Sequence, residues 1–169
     1  MANGSRRGVA IAAVLAAFVL VLDQWTKALI QRDLGPGGER AAVPLVGDWF
    51  LLEYAQNRGV AFGALAALPN VATILPALIL LGVVVYAARL RFHGWWLAIG
   101  AGLVVGGAVG NLLDRIRLGY VVDFIAVGPW PNFNVADAAI SVGVACLVVD
   151  VLLRPEAPDR APTGGVADG

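Results

Sequence analysis

Three aspartates crowd between positions 114 and 137 of an otherwise apolar chain: Asp114 in "GNLLDRIR", Asp123 in "GYVVDFIAV" and Asp137 in "PNFNVADAAI". A carboxylate beside so much aliphatic and aromatic surface costs free energy unless it is solvated, paired or protonated. Asp137 follows Asn134 at a helix start, so either residue could cap that helix. Asp123 has no comparable structural role. If two of these acids converge they cannot both ionise cheaply, and one keeps a proton while the other stays charged. Such a pair is an acid and a base in one site. The charged member takes a proton from water as it attacks a carbonyl; the protonated member hydrogen-bonds the carbonyl oxygen and later protonates the leaving amine. Spacing leaves open which two of the three meet.

Other chemistries have less to work with. His93 is the only histidine and sits in a basic link, so no Ser/His pair competes. Cys146 is the only cysteine, which excludes an intramolecular disulfide and a cysteine metal cluster and leaves a small buried hydrophobe. Zinc sites usually want His or Cys and a magnesium site for phosphate chemistry wants a denser carboxylate cluster, so no metal and no cofactor is expected. Lys+Arg and Asp+Glu both number 12, which gives no footprint for a nucleic-acid partner.

The elements that must position these acids are membrane spans. Of 169 residues, 59% are hydrophobic and 14% charged, and the mean hydropathy is +0.78. Four apolar segments, at about 9–30, 71–88, 94–113 and 138–153, each approach the roughly 20 residues that cross a bilayer. An all-α membrane protein with four transmembrane helices is expected. The first segment runs on into "DQWTKALI" with no small-residue cleavage site, so it reads as a span and not as a cleaved leader. Arg6, Arg7, Arg89, Arg91, Arg154 and Arg160 flank the short inner connections and place both termini in the cytoplasm. Residues 31–70 and 114–137 then lie on the extracytoplasmic side, and the three acids at the outer boundary. Residues 1–153 read as one domain, and the Pro- and Gly-rich 154–169 as a disordered cytoplasmic tail.

Within that frame, Asp23 and Lys27 are four apart, share a helix face and can pair, and that face should point to the polar site. Asp150, near the inner end of the last span, is explained by snorkelling. Ala98, Gly102, Gly106 and Gly110 line one helical face, the spacing of close packing within the bundle or of dimerisation. In the outer loop, "DWFLLEYAQNRGVAFG" alternates weakly as a strand, with "QNRG" as a turn. It predicts a strand lying against the bilayer surface, with Trp49, Phe50 and Tyr54 as an interfacial aromatic belt.

The motifs "DQWTK" (Asp23 to Lys27), "NRGVAFG" (Asn57 to Gly63), "GNLLDR" (Gly110 to Arg115), "VVDFI" (Val121 to Ile125) and "FNVAD" (Phe133 to Asp137) together resemble the lipoprotein signal peptidases, or signal peptidase II. These are bacterial intramembrane aspartic proteases. The resemblance implies that Asp123 and Asp137 form the catalytic dyad and that Asp114 is support. It also implies that Asp23, Lys27, Asn57, Gly59, Asn111, Arg115, Asn134 and Ala136 shape the site, with Asn111, Asn134 and Arg115 orienting the dyad or the peptide. The implied substrate is a diacylglyceryl-modified prolipoprotein, cut just before its lipid-bearing cysteine. The implied setting is the inner membrane, among membrane lipid, with the chain acting as a monomer. The resemblance further implies that residues 31–70, between helices 1 and 2, form a small extracytoplasmic β-containing cradle and a surface helix that clamp the substrate, although "GPGGERAAVP" matches nothing in that pattern. A small proton- or cation-coupled transporter is the alternative, since intramembrane carboxylates fit it. The lack of an inverted repeat and the clustering of the acids at one boundary speak against it.

Overall fold

The computed structural model describes residues 2–39, 41–59, 74, 78, 81–83, 85 and 94–153. Helix α1 spans Ala2–Leu34, α2 Trp95–Leu118 and α3 Val135–Leu152. Strands β1 (Ala42–Val46), β2 (Phe50–Asn57) and β3 (Val121–Val127) form an antiparallel sheet in the order β1-β2-β3. Among the described residues, three helices are long and apolar enough to cross a membrane: Ser5–Leu34, Trp95–Leu118 and Val135–Leu152. The expected span at 71–88 lies outside the described residues except for positions 74, 78, 81–83 and 85, all helical. Residues 60–70 and the expected tail at 154–169 also lie outside them.

All three helices outrun the apolar segments that predict them. At about 1.5 Å per residue α1 is about 50 Å long, well beyond a hydrocarbon core of about 30 Å. Its surplus has a use. Ile30, at the end of the apolar run, and Leu34, past it, form a core cluster with Val122 and Phe124 of β3, joined by Val43, Leu52 and Tyr54. Helix α2 continues through "DRIRL" to Leu118 and stops at Gly119, whose φ of 80° is the left-handed conformation that glycine adopts without strain and whose N–H returns to the Arg115 carbonyl. Asp114 and Arg115 therefore lie inside a helix and not in the loop after it. Helix α3 begins three residues before the predicted position 138, so Asp137 belongs to its first turn.

The small-residue face of α2 is used within the chain. A methyl group at Gly106 would lie 2.6 Å from the Ala16 carbonyl oxygen of α1, and one at Gly107 2.5 Å from the Ala136 carbonyl oxygen of α3. Two faces of α2, about 100° apart, thus press against both neighbours at backbone contact. Of the two readings of that spacing, tight packing in the bundle is the one seen here.

The sheet stands at one end of the bundle, beside the C-terminal ends of α1 and α2 and the N-terminal end of α3. β2 covers the expected strand, and β1 arises from the stretch that carried no reading, pairing Ala42 with Glu53 and Val43 with Leu52. Its Pro44 is tolerable because β1 is an edge strand. β2 pairs with β3 so that Ala55 faces Asp123 and Asn57 faces Val121. β3 follows α2 after two residues, and this short link fixes Asp123 just beyond the helix end.

Candidate active site

The site is built on a buried ammonium ion. Lys27 has three N–H donors and spends all of them within the bundle: Nζ lies 2.9 Å from Asp23 Oδ2, 2.9 Å from Asp114 Oδ2 and 2.9 Å from Asn111 Oδ1. All four residues are buried, Asp23 completely. The predicted Asp23–Lys27 pair thus exists and extends to a third partner. Each acid then holds a second element. Asp23 Oδ1 accepts the backbone N–H of Ala136 (3.0 Å) at the start of α3, and Asp114 Oδ2 accepts that of Val122 (3.2 Å) beside Asp123. One charge cluster on α1 and α2 therefore sets the position of both other acids. Gly110 makes room for it, since a methyl there would sit 2.6 Å from Asp23 Oδ2.

Asp123 and Asp137 are gripped by three asparagines whose amides are each oriented from behind. Lys27 can only donate, so Asn111 must offer it Oδ1 and turn its Nδ2 outward, where it meets Asp137 Oδ1 at 2.7 Å. Asn57 Oδ1 accepts the backbone N–H of Gly59 (2.9 Å), and its Nδ2 reaches Asp123 Oδ2 at 2.9 Å. The turn that allows this needs Gly59, at φ 75°. Asn134 Oδ1 accepts the Asp137 N–H (2.9 Å), while its Nδ2 meets Asp123 Oδ1 at 2.7 Å and also Asn111 Oδ1 and the Val122 carbonyl. A lysine and two backbone N–H groups thus point every amide donor the same way.

Asn134 is the hinge of the arrangement. It caps α3 in a reciprocal box, its own N–H donating to Asp137 Oδ2 at 3.2 Å. The question of which residue caps the helix is answered by Asn134, and Asp137 serves the box without losing its place beside Asp123. Asp114 makes no hydrogen bond to either; it bonds Lys27, Val122 and Gln24. Arg115 donates to the Asn111 carbonyl (3.3 Å).

Asp123 is 2% exposed. Burial pushes its carboxyl up to about 6, with the Asp137 charge adding to the rise; hydrogen bonds from Asn57 and Asn134 and the Lys27 charge oppose it. A cavity of about 800 Å³ lies elsewhere. Phe124 lines it with Ile30, Leu34 and Leu52, and side chains alternate along a strand, so it opens on the sheet face opposite Asp123.

Residues 15–153 match the family model described as Signal peptidase (SPase) II. The chain belongs to the signal peptidase II family. It is an aspartic endopeptidase of the membrane, and the transporter reading falls away. Similar proteins, each named lipoprotein signal peptidase, include those of Moorella thermoacetica, 40% identical over 152 residues (88% of this chain, 97% of that one), and Geobacter sulfurreducens, 44% identical over 142 residues (79% and 86%). That of Rhodococcus jostii is 41% identical over 157 residues (89% and 76%). Two solved structures described as bacterial membrane enzymes share the fold. Their TM-scores are 0.69 and 0.67 at 24% identity, covering 87% and 85% of this chain and 96% and 88% of theirs.

Within the family frame, Gln24 stands out as a residue that the motif reading quoted but did not use. Its Nε2 donates to Asp114 Oδ1 at 2.9 Å and, more weakly, to the Gly110 carbonyl and Asp23; its Oε1 accepts from Arg117. The only signal in the sequence is a second polar residue beside Asp23 in an apolar span. Gln24→Leu leaves the buried Asp114 Oδ1 without its side-chain donor and should lower stability by about 1–3 kcal/mol. Gln24→Glu, which sets another carboxylate against Asp114 and Asp23, should cost more. Thermal unfolding in detergent, followed by maleimide labelling of the buried Cys146, reads both.

Proposed function

We propose that Asp123 and Asp137 are the catalytic dyad of a peptidase that removes signal peptides from diacylglyceryl-modified prolipoproteins, cutting just before the lipid-bearing cysteine. The observation that carries the dyad is Asn134, which holds Asp123 by its side chain and Asp137 by its backbone N–H and side-chain oxygen. The relatives' shared name supports the substrate class.

In the resting site the pair shares one proton and Asp123 is its holder, because burial has raised its affinity for a proton. Asp137 takes a proton from the attacking water. Asp123 hydrogen-bonds the scissile carbonyl, then gives its proton to the leaving amine as the C–N bond breaks, while the proton on Asp137 restores the starting state. The asparagine donors fix both carboxylates before substrate arrives, so little reorganisation is left for the reaction. A substrate anchored by lipid and by an apolar signal helix reaches this site laterally, at the depth where the spans end and water begins. In this reading residues 71–88 are the fourth span, both termini are cytoplasmic and the dyad faces outward.

Purified protein incubated in detergent with a diacylglyceryl-modified prolipoprotein should release a signal peptide ending at the residue before the modified cysteine, read by mass spectrometry. Among the described residues no three metal-ligating side chains converge, so chelator should leave the rate unchanged. Cleavage elsewhere, or a loss that metal restores, would refute this reading.

The shared proton also predicts a pH profile. Activity needs Asp123 protonated, so kcat/KM should fall as pH rises through about 6, the free-enzyme value. Asn57 donates to the carboxylate and favours its ionised form, so Asn57→Ala should move that alkaline limb to higher pH. A limb that stays put or moves down would separate Asp123 from the titration.

A further inference from the structure

Two stretches of the outer sheet are almost free of charge. Residues 42–52 contain only Asp48, and residues 124–133 contain none. The structure brings their ends together at one tip of the sheet, where the β1–β2 turn meets the turn after β3. Trp49 and Trp130 are displayed there at 61% and 70% exposure, beside exposed Leu45 and Val46.

The display is built, not frayed. The Trp49 N–H returns to Val46 O (3.2 Å), the Trp49 carbonyl accepts Gly128 N–H (2.8 Å), and Trp130 N–H returns to Val127 O (3.0 Å). The Trp49 ring lies directly on Gly128, where any side chain would collide with it. Between the two indoles is a shallow cavity of about 410 Å³ lined by Trp49, Val127, Pro129, Trp130 and Phe133, with no polar surface. A rigid patch of this kind, open to water, is a liability unless something apolar covers it.

Its position says what covers it. Phe133 closes the cavity and is pinned to β3 by two reciprocal bonds with Ile125, of 2.8 and 3.1 Å. Two residues later α3 enters as a membrane span. The apolar patch is thus continuous with the outer end of that span, at the depth of the lipid interface, where indole rings are most favourable. Of the aromatics expected to form a belt, Trp49 alone is exposed. Phe50 is half-buried, Tyr54 is half-buried and bonded to the Tyr120 hydroxyl (2.9 Å), and Trp130 takes their place.

We propose that Trp49 and Trp130 form an uncharged wedge that seats the sheet tip in the outer lipid interface, so that the bilayer itself is its partner. The wedge holds the sheet, and with it β3, at a fixed height over the spans. The indoles carry no charge and the one acid in the turn, Asp48, gives no attraction to anionic lipid, so the contact does not weaken in salt.

The test uses the full chain in phosphatidylcholine vesicles, with Trp25, Trp95 and Trp96 changed to Phe so that Trp49 and Trp130 alone fluoresce. Lipids brominated near the headgroup should quench most of their emission, at low and high salt alike, and aqueous iodide should quench little. Quenching by iodide and not by bromolipid would overturn the proposal. So would bromolipid quenching that appears only after a lipid-modified peptide is added, which would make the patch a substrate contact. If the Phe background folds poorly, hydroxyl-radical labelling of the unsubstituted protein decides: both indoles should be protected in vesicles. Oxidation as extensive as in the denatured chain would refute the wedge.

Discussion

Lys27→Met should be the most destabilising single change in the site. Met fills similar space in an apolar environment, so the loss is electrical. Asp23 and Asp114, both buried, are left without their shared cation, and removing one partner of a buried ion pair costs about 3–5 kcal/mol. Maleimide labelling of Cys146 during heating should show the lower transition. Adding Asp23→Asn and Asp114→Asn removes the stranded charges and should recover much of that stability. It should not recover activity. Without the ammonium, Asn111 Oδ1 keeps only the longer bond from Asn134 (3.2 Å) and its Nδ2 is aimed less firmly at Asp137, so the stabilised triple variant should remain at least about tenfold slower, as expected when a preorganised donor is weakened. Full activity in the triple variant would show that Lys27 only balances charge.

The largest effect on rate belongs to the dyad. Asp123→Asn removes the proposed acid and Asp137→Asn the proposed base, and each should lower kcat by about 10³ or more, the loss of general acid–base help together with the positioned water. Neither variant should unfold. Asn at position 137 keeps an oxygen for the Asn134 N–H and so preserves the capping box. At position 123 the sign can be worked out from burial. The folded carboxyl lies at about 6, above its ordinary 3.8, so the native state binds the extra proton. Stability from this group is full below about 4 and is lost as pH rises through about 6. Asn at position 123 sets its own NH2 against one of the two amide donors, Asn57 or Asn134, and gives up that bond, so Asp123→Asn should melt below the wild type by a margin that narrows as pH rises through about 6. An inactive variant that stays folded separates chemistry from folding.

How much of this the sequence shows depends on how local each cause is. The three spans among the described residues, the strand through Phe50 and Tyr54, and the Asp23–Lys27 pair follow from composition and spacing within one segment. Helix ends do not. The apolar runs mark where lipid stops, whereas α1 and α2 stop where Leu34 finishes packing on the sheet and where Gly119 turns the chain. β1 is invisible for a related reason. "AAVPLV" gains strand structure only by lying on β2, and its proline argues against a strand until that strand is known to be an edge.

The candidate site divides in the same way. Aspartates and asparagines are legible as residue types, and the family motifs point to Asp123 and Asp137. What the motifs omit is direction. Whether Asn111 offers an oxygen or a nitrogen to Asp137 is decided by Lys27, 84 positions away, and whether Asn57 does so is decided by the backbone of Gly59. Gln24 is missed because its value lies wholly in partners on another helix. Asp150 is another case: snorkelling does not describe a side chain that is buried, with Oδ1 3.0 Å from where a Gly94 side chain would begin.

The most direct test is the product mass from a diacylglyceryl-modified prolipoprotein incubated with wild type, Asp123→Asn or Asp137→Asn, each first shown by Cys146 labelling to be folded. Wild type should yield the signal peptide and the lipid-modified chain cut before its cysteine. Neither variant should yield them above about one thousandth of that rate. Cleavage at the same bond by either folded variant, at a rate near wild type, would contradict the account of an aspartate pair organised by Lys27 and three oriented asparagines.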